Sequence, residues 1–498
     1  MAEASRARTW LRRGLIAAPI ALLAVLALTL GITLASPSRQ LEAATTPALS
    51  LDMDGAAARL GEAVRLETIS PEDPADFDPE PFLAFHALLE RSYPKTHAAL
   101  ERQVIADYSL RYRWEGARPE LPPVVLLAHM DVVPIAEPEA WTRPPFSGER
   151  VDEAGEAAVW GRGTMDDKGN LLAIFEAAEV LVAQGFVPER TIYLCFGHDE
   201  EVGGTGAQAI AASLVEDGVT NAALVYDEGT GVLQGLFPGL PERGMAMVAL
   251  AEKGNIVVEL RVEGEGGHGS TPPDQTAIGV LAAAIAKVEA NPFPARLEGP
   301  FLHTFEYAGP EMDWPLRLVA TNLWLFRPVL QAVLLGKPRT AAFVRTTTAV
   351  TVIEGGVKAN VLPPRATARI NHRVMIGETP EGVVDYLEAV IDDPRVEVEH
   401  TAGHGPSGVS PHEGQAFDIV ARALRAVHPD VVVAPTLNVA GSDARYYEEV
   451  SEVIYRFSAF RLEDHDVARY HGVDERLRVS DYETMIQFYG HLIQASWD

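Results

Sequence analysis

The sequence predicts an α/β fold, a mostly parallel sheet flanked by helices, with a smaller β-α-β-β-α-β domain inserted into it. Three observations predict it. Residues 123–131, 191–201 and 222–229 are continuous apolar runs, the mark of strands buried on both faces. Between the first two, Leu171, Ile174, Phe175, Ala178, Leu181 and Val182 recur at helical spacing, with Gly185 as the stop. Beyond residue 250 the runs give way to alternation, as in NIVVELRVEGEGGHG (255–269), which suits strands with one solvated face.

The chain has 498 residues, and at about 150 residues per domain that length suggests about three domains. Hydrophobic residues make up 47% and charged residues 22%, an ordinary globular balance. The formal charge of −29 leaves no basic field for phosphates and excludes broad nucleic-acid binding. Cys195 is the only cysteine, so neither a disulfide framework nor a cysteine-rich zinc module is available. Its place among Tyr, Leu and Phe reads as an inert core thiol.

Residues 1–40 hold five arginines and one acid, a net of +4, so the remainder carries −33. The uncharged run GLIAAPIALLAVLALTLGITLA after Arg13 is long enough to cross a hydrocarbon core. With arginines before it and Ser-Pro after it, residues 1–45 read as an export segment. It serves either as an uncleaved membrane anchor or as a cleaved signal, with the remaining chain outside the cytoplasm. The catalytic domain is expected over 46–249 and 403–498, with the inserted domain at 250–402. Strands at 348–356, 365–376 and 396–400 and a helix at 381–391 complete the insertion's order. Its interruption, about 296–345, is rich in Leu, Phe and Trp. Trp314, Trp324 and Phe326 there suit a core or interface, or else a greasy rim for an acyl chain or membrane.

Each buried strand ends in metal-type ligands. AHMDVVP supplies His129 and Asp131, and WGRGTMDDKGN supplies Asp166 and Asp167 before a helix. HDEEVGGTG supplies Glu200 and Glu201, and VYDEG supplies Asp227. Sites in open α/β sheets form beyond the carboxyl ends of strands, so residues far apart in sequence can converge there. Singly, each motif also fits a structural histidine, a solvated helix start or a tight turn. Together they argue for a centre of carboxylates and imidazoles, which suits zinc, with one carboxylate bridging if two cations sit together.

These motifs, with GEGGHGSTPP, EGGVKANVLP, GSDARYY and YHGVDERL, resemble the dinuclear zinc exopeptidase and amidohydrolase family over roughly residues 60–480. That family includes glutamate carboxypeptidase and aminoacylase. The insertion and the N-terminal segment look closest to its carboxypeptidase S and N-fatty-acyl-amino-acid synthase/hydrolase branch. The resemblance implies a zinc-peptidase catalytic domain and a ferredoxin-like lid that also dimerises. It implies two zinc ions per subunit, with cobalt or manganese as alternatives. His129, Asp166 and Asp227 would hold one ion, and Asp166, Glu201 and His471 the other. Asp131 would orient His129, and Glu200 would be the general base. His268 would support the oxyanion from the lid, often across a dimer. Asn360, Arg373, Gly441 and Ser442 would contact substrate. A cis peptide is implied between Asp166 and Asp167. On composition His465 rivals His471, but the YHGVDE context favours His471. His198 is expected to point away from the acids.

The expected function is hydrolysis of the amide bond of N-acyl amino acids, reversible when acid and amine are abundant. Carboxypeptidase or dipeptidase action on short peptides is the alternative. A catalytically retired, membrane-tethered binding protein is the rival of another class. The expected partners are a small acyl amino acid or peptide, the membrane through the N-terminal segment, and a second copy of the chain.

Overall fold

The computed structural model describes residues 2–153 and 155–497, with the side chains of 2–18 and 153 outside that description. Helix α1 (Ala2–Ala35) precedes strands β1 (Glu101–Ile105), β2 (Ser109–Trp114) and β3 (Val124–His129). Helix α2 (Lys168–Ala183) links β3 to β4 (Ile192–Gly197), followed by β5 (Leu224–Asp227), β6 (Val232–Gln234) and β7 (Gly244–Glu252). Then come β8 (Gly254–Glu263) and helices α3 (Ala277–Ala290), α4 (Pro300–Ala308), α5 (Leu316–Ala320) and α6 (Leu323–Leu334). Strands β9 (Thr347–Gly355) and β10 (Arg365–Val374), helix α7 (Pro380–Ile391) and β11 (Val396–His404) follow. Helix α8 (Gln415–Val427), strands β12 (Val432–Asn438), β13 (Ile454–Arg456) and β14 (Arg461–Leu462), and helix α9 (Val479–Ile493) end the fold.

The ten-stranded sheet runs β1-β2-β4-β3-β5-β13-β7-β6-β14, with β12 on β7. Its centre is parallel: β3 pairs with β4 and β5, and β5 with β13. The apolar runs at 124–129 and 192–197 are buried at every residue, as strands covered on both faces require. Helix α2 ends as its sequence predicts. Gly185 adopts φ 73°, and the Phe186 N–H returns to the Leu181 carbonyl at 3.0 Å. The antiparallel edge β1-β2 departs from the strand-then-helix grammar.

The smaller sheet is antiparallel in the order β9-β10-β8-β11, and helices α3 and α7 pack on it. This is the expected ferredoxin-like lid. Its own core holds Ile256, Val258, Leu281, Ile370 and Leu387. The expectation that all of 250–402 forms one inserted domain needs correction, however. Leu297, Phe301, Phe305 and Tyr307 belong to the core of the large sheet, and Thr304 Oγ1 donates to the Pro435 carbonyl at 2.7 Å. An apolar helix face carries no label for its partner, and here it covers β12 and β7 rather than the lid.

Among the described residues, no helix is long and apolar enough to cross a membrane. The expected anchor therefore lacks structural support, and the side chains of its arginine-rich start lie outside the described residues. The later part of α1 rests on the insertion. Asn322 Nδ2 donates to Thr33 Oγ1 at 2.8 Å and to the Thr29 carbonyl at 3.2 Å. Trp314 and Trp324 are more than half exposed rather than core.

Candidate metal centre

His129 is the last residue of β3, so its side chain emerges at the carboxyl edge of the sheet. Its Nδ1 lies 3.2 Å from Asp131 Oδ1, which fixes the ring. The same Asp131 carboxylate accepts the backbone N–H groups of Glu200 and Glu201, each at 3.1 Å. One buried acid thus orients both the histidine and the turn that carries the two glutamates.

Asp166 stands between two imidazoles. Its Oδ1 is 3.1 Å from His129 Nε2, and its Oδ2 is 2.9 Å from His471 Nε2. Glu201 Oε1 lies 3.3 Å from the same His471 nitrogen. The Asp166–Asp167 peptide is cis, as the resemblance implies. Buried Arg162 joins the late loop to this one. It pairs with Glu475 at 2.7 Å and donates to the carbonyls of His471 and Gly472 at 3.0 and 3.1 Å. Glu475 also receives the Met165 N–H at 2.9 Å.

The fourth carboxylate is not the expected one. Asp227 is still paired in the ladder, opposite Arg456. Its two oxygens accept the N–H groups of Glu228 at 2.9 Å and Ala444 at 2.8 Å. It is therefore an anchor of the following loops. Glu228, the first residue past the strand, places Oε1 3.3 Å from His129 Nε2. In this geometry Glu228, and not the expected Asp227, is the acid that faces His129.

The electrostatics fit a cation. Burial alone would raise the Asp166 carboxyl, but hydrogen bonds from His129 and His471 hold it well below the carboxylate range. Hydrogen bonds to Asp166 first, and to Glu201 next, push His471 up to about 11. Burial first, and neighbouring carboxylates after it, push Glu200, Glu201 and Glu228 above their usual values. Such crowded, desolvated acids call for positive charge. Glu201 Oε1 is moreover buried with only the His471 ring nitrogen beside it, 3.3 Å away. Ligand atoms of His129, Asp166 and Glu201, and of His129, Asp167 and Glu228, lie within 4.8 Å of one another. Two imidazoles and several hard carboxylates suit a divalent metal such as zinc.

The sequence pattern of Peptidase family M20/M25/M40 matches residues 125–495. The chain belongs to this family. It is 42% identical over 444 residues to a probable carboxypeptidase S-like protein of Dictyostelium discoideum, covering 88% of this chain and 84% of that one. It is 38% identical over 439 residues to an N-fatty-acyl-amino acid synthase/hydrolase of Danio rerio, covering 87% and 84%. An M20 family metallo-carboxypeptidase from Sulfolobus solfataricus shares the fold. Its TM-score is 0.64 at 16% identity, over 88% of this chain and 98% of that one. The protein is an M20 metallohydrolase, and its centre gathers residues that could hold divalent metal.

Around the centre of this M20 chain, Glu200 lies beside Arg445, whose guanidinium is 3.7 Å from Oε1. Arg373, on β10, lies within the electrostatic reach of Glu252, Arg445 and Glu200. Ser442 is buried and donates to Glu252 Oε2 at 3.1 Å, while Gly441 lies against Arg445. His268 and Asn360 are not brought to the centre. They sit on exposed segments at the lid tip, where Gly267 and His268 pair with Leu362 and Val361. Within one chain this tip faces solvent. His465 pairs with Asp466 at 3.3 Å and is absent from the cluster. His198 turns to Ser109 Oγ at 2.7 Å, away from the acids. Cys195 is buried, which pushes its thiol up to about 12.

Sequence reasoning missed Glu228, Arg445, Arg162 and Glu475. For Glu228 a signal existed: the residue just past a buried strand is the one aimed into the crevice. The others depend on contacts between distant loops.

Proposed function

We propose that this chain hydrolyses the amide bond of N-acyl amino acids at a centre of two zinc ions. The observation that carries the reading is Asp166, whose two oxygens each face a different imidazole while Glu200 stands alongside. His129, Asp166 and Glu228 would hold one ion, and Asp166, Glu201 and His471 the other. Metal bound there would polarise the scissile carbonyl and ease deprotonation of the attacking water. Glu200 accepts the water's proton on its carboxylate and returns it to the leaving amine nitrogen. Arg445 keeps Glu200 ionisable against the burial that opposes it. Arg373 clamps the substrate carboxylate, with Gly441 and Ser442 lining the same subsite, which Asn360 joins only with the lid tip. His268 donates to the developing oxyanion once the lid closes or a second copy supplies it. The exposed edge strand β9, with Ile353 uncovered, suits pairing of two lids.

The exposed tryptophans of the insertion and the likeness to N-fatty-acyl-amino acid hydrolases favour a long acyl chain. The likeness to carboxypeptidase S-like proteins favours the second reading, removal of a C-terminal residue from short peptides. A catalytic body of 46–249 and 403–498 onto which α4 of the insertion packs, and export directed by residues 1–45, complete the proposal. The arginine-flanked apolar run supports that export. A substrate panel varying acyl length and amino acid, read by product mass, tests it. Turnover of N-acyl amino acids, lost in Glu200→Gln with metal retained, is expected. Turnover of dipeptides alone would favour the peptidase reading, and undiminished turnover in Glu200→Gln would remove Glu200 as the base.

A further inference from the structure

A second group of metal-type side chains shares no residue with the catalytic centre. His303 and Glu306 stand three residues apart on α4 and so share one face of that helix. His303 Nδ1 lies 2.8 Å from Glu306 Oε2. His412, in the segment between β11 and α8, lays its ring on that of His303, with centroids 3.8 Å apart and 23° between planes. One ligand atom from each of the three residues lies within 4.8 Å of the other two. The backbone beneath is held firmly. Tyr307 Oη donates to the His412 carbonyl at 3.0 Å, and Thr304 ties α4 to β12. Arg39 adds a third strand of chain. Its guanidinium lies 5.0 Å over the Tyr307 ring, and Nη1 is 3.3 Å from Glu413 Oε1.

We infer that His303, Glu306 and His412 form a zinc site separate from the catalytic centre. Two imidazoles and one carboxylate satisfy three of zinc's four tetrahedral positions and leave the last to water. His303, Glu306 and His412 keep 27%, 38% and 25% of their side-chain surface exposed, so an ion has an entry path. That exposure also lets the side chains draw together by rotation, without backbone movement. The ion would clasp α4 of the insertion to the segment leading into α8, where Arg39 brings the N-terminal segment onto the body. Its role is structural, and its absence would leave the catalytic reading untouched.

The test uses the full chain, stripped with chelator, dialysed against zinc and counted by elemental mass spectrometry. Wild type is expected to hold one zinc more per chain than Glu306→Gln or His412→Gln, with turnover equal in all three. In the unmutated chain, zinc added beyond the catalytic complement should slow diethyl pyrocarbonate modification of His303 and His412, read by peptide mass. Equal zinc content in wild type and both variants overturns the site. So does modification that zinc does not slow.

Discussion

The carboxyl edge of the large sheet and the tip of the lid both carry histidines of the proposed reaction, yet they are built differently. His129 hangs from a strand hydrogen-bonded to neighbours on both sides, and its ring, Asp131 and Asp166 are all buried. His268 sits in a two-residue ladder among glycines, exposed, with its Nδ1 turned to Ser270 Oγ at 2.7 Å. The sheet edge is preorganised by one chain, whereas on the proposed reading the lid tip would join the site only through closure or a second copy. On that reading preorganisation is divided: the groups that would bind metal and move protons are fixed, and the oxyanion donor would arrive.

The strongest way to break that contrast is at the sheet edge. Glu228→Gln should weaken metal binding by more than about a hundredfold, since even an outer partner of a ligand contributes 10–100-fold. Asp227→Asn should leave metal content intact and instead lower stability by about 2 kcal/mol, because an amide cannot accept from both backbone donors. Metal analysis beside thermal unfolding separates the pair. Metal loss in Asp227→Asn but not in Glu228→Gln would restore Asp227 as the ligand.

At the lid tip the expected effect is purely kinetic. His268→Ala should lower kcat by roughly 10²–10³, the value of one oxyanion donor, with metal content and KM little changed. If the donor comes from a second copy, mixing His268→Ala with an inactive Glu200→Gln chain should restore part of the activity. No restoration with a dimer present would place closure within one chain.

Between the two lies Arg162, which sets His471 from a distance. Arg162→Met should reduce turnover by about tenfold through weaker metal binding, so excess zinc should rescue it. Loss of turnover that zinc does not rescue would assign Arg162 to folding alone.

The same contrast explains what the sequence made legible. His129, Asp131, Asp166, Glu200 and Glu201 could be read because each follows an apolar strand or opens the turn behind one, where parallel sheets make sites. Glu228 and Asp227 are adjacent acids, and only the ladder's end, at Asp227, decides which of them faces the crevice. His471 is legible only from its motif, because its place depends on Arg162 and Glu475, contacts that no local spacing encodes. The lid's strand order was legible from alternation, but the partner of the insertion was not. Phe301 and Phe305 would suit either core, and their tertiary packing on β12 and β7 decides.

The smallest predicted effect probes the proton path. Burial, then the charge of Asp443, raises Glu200, while His129 and Arg445 lower it. Glu200 must be ionised to take the water's proton, so kcat/KM rises with pH through its ionisation. Arg445→Met removes a fixed positive charge 3.7 Å from Oε1 and leaves burial in place. The ionised form is then less favoured, and the acid limb should move to higher pH by on the order of one unit, with the plateau nearly unchanged. Arg445→Lys, which keeps the charge, should leave the limb close to its original position. A limb unmoved in Arg445→Met would mean that another group sets it. A lowered plateau without a shift would place Arg445 in substrate binding instead.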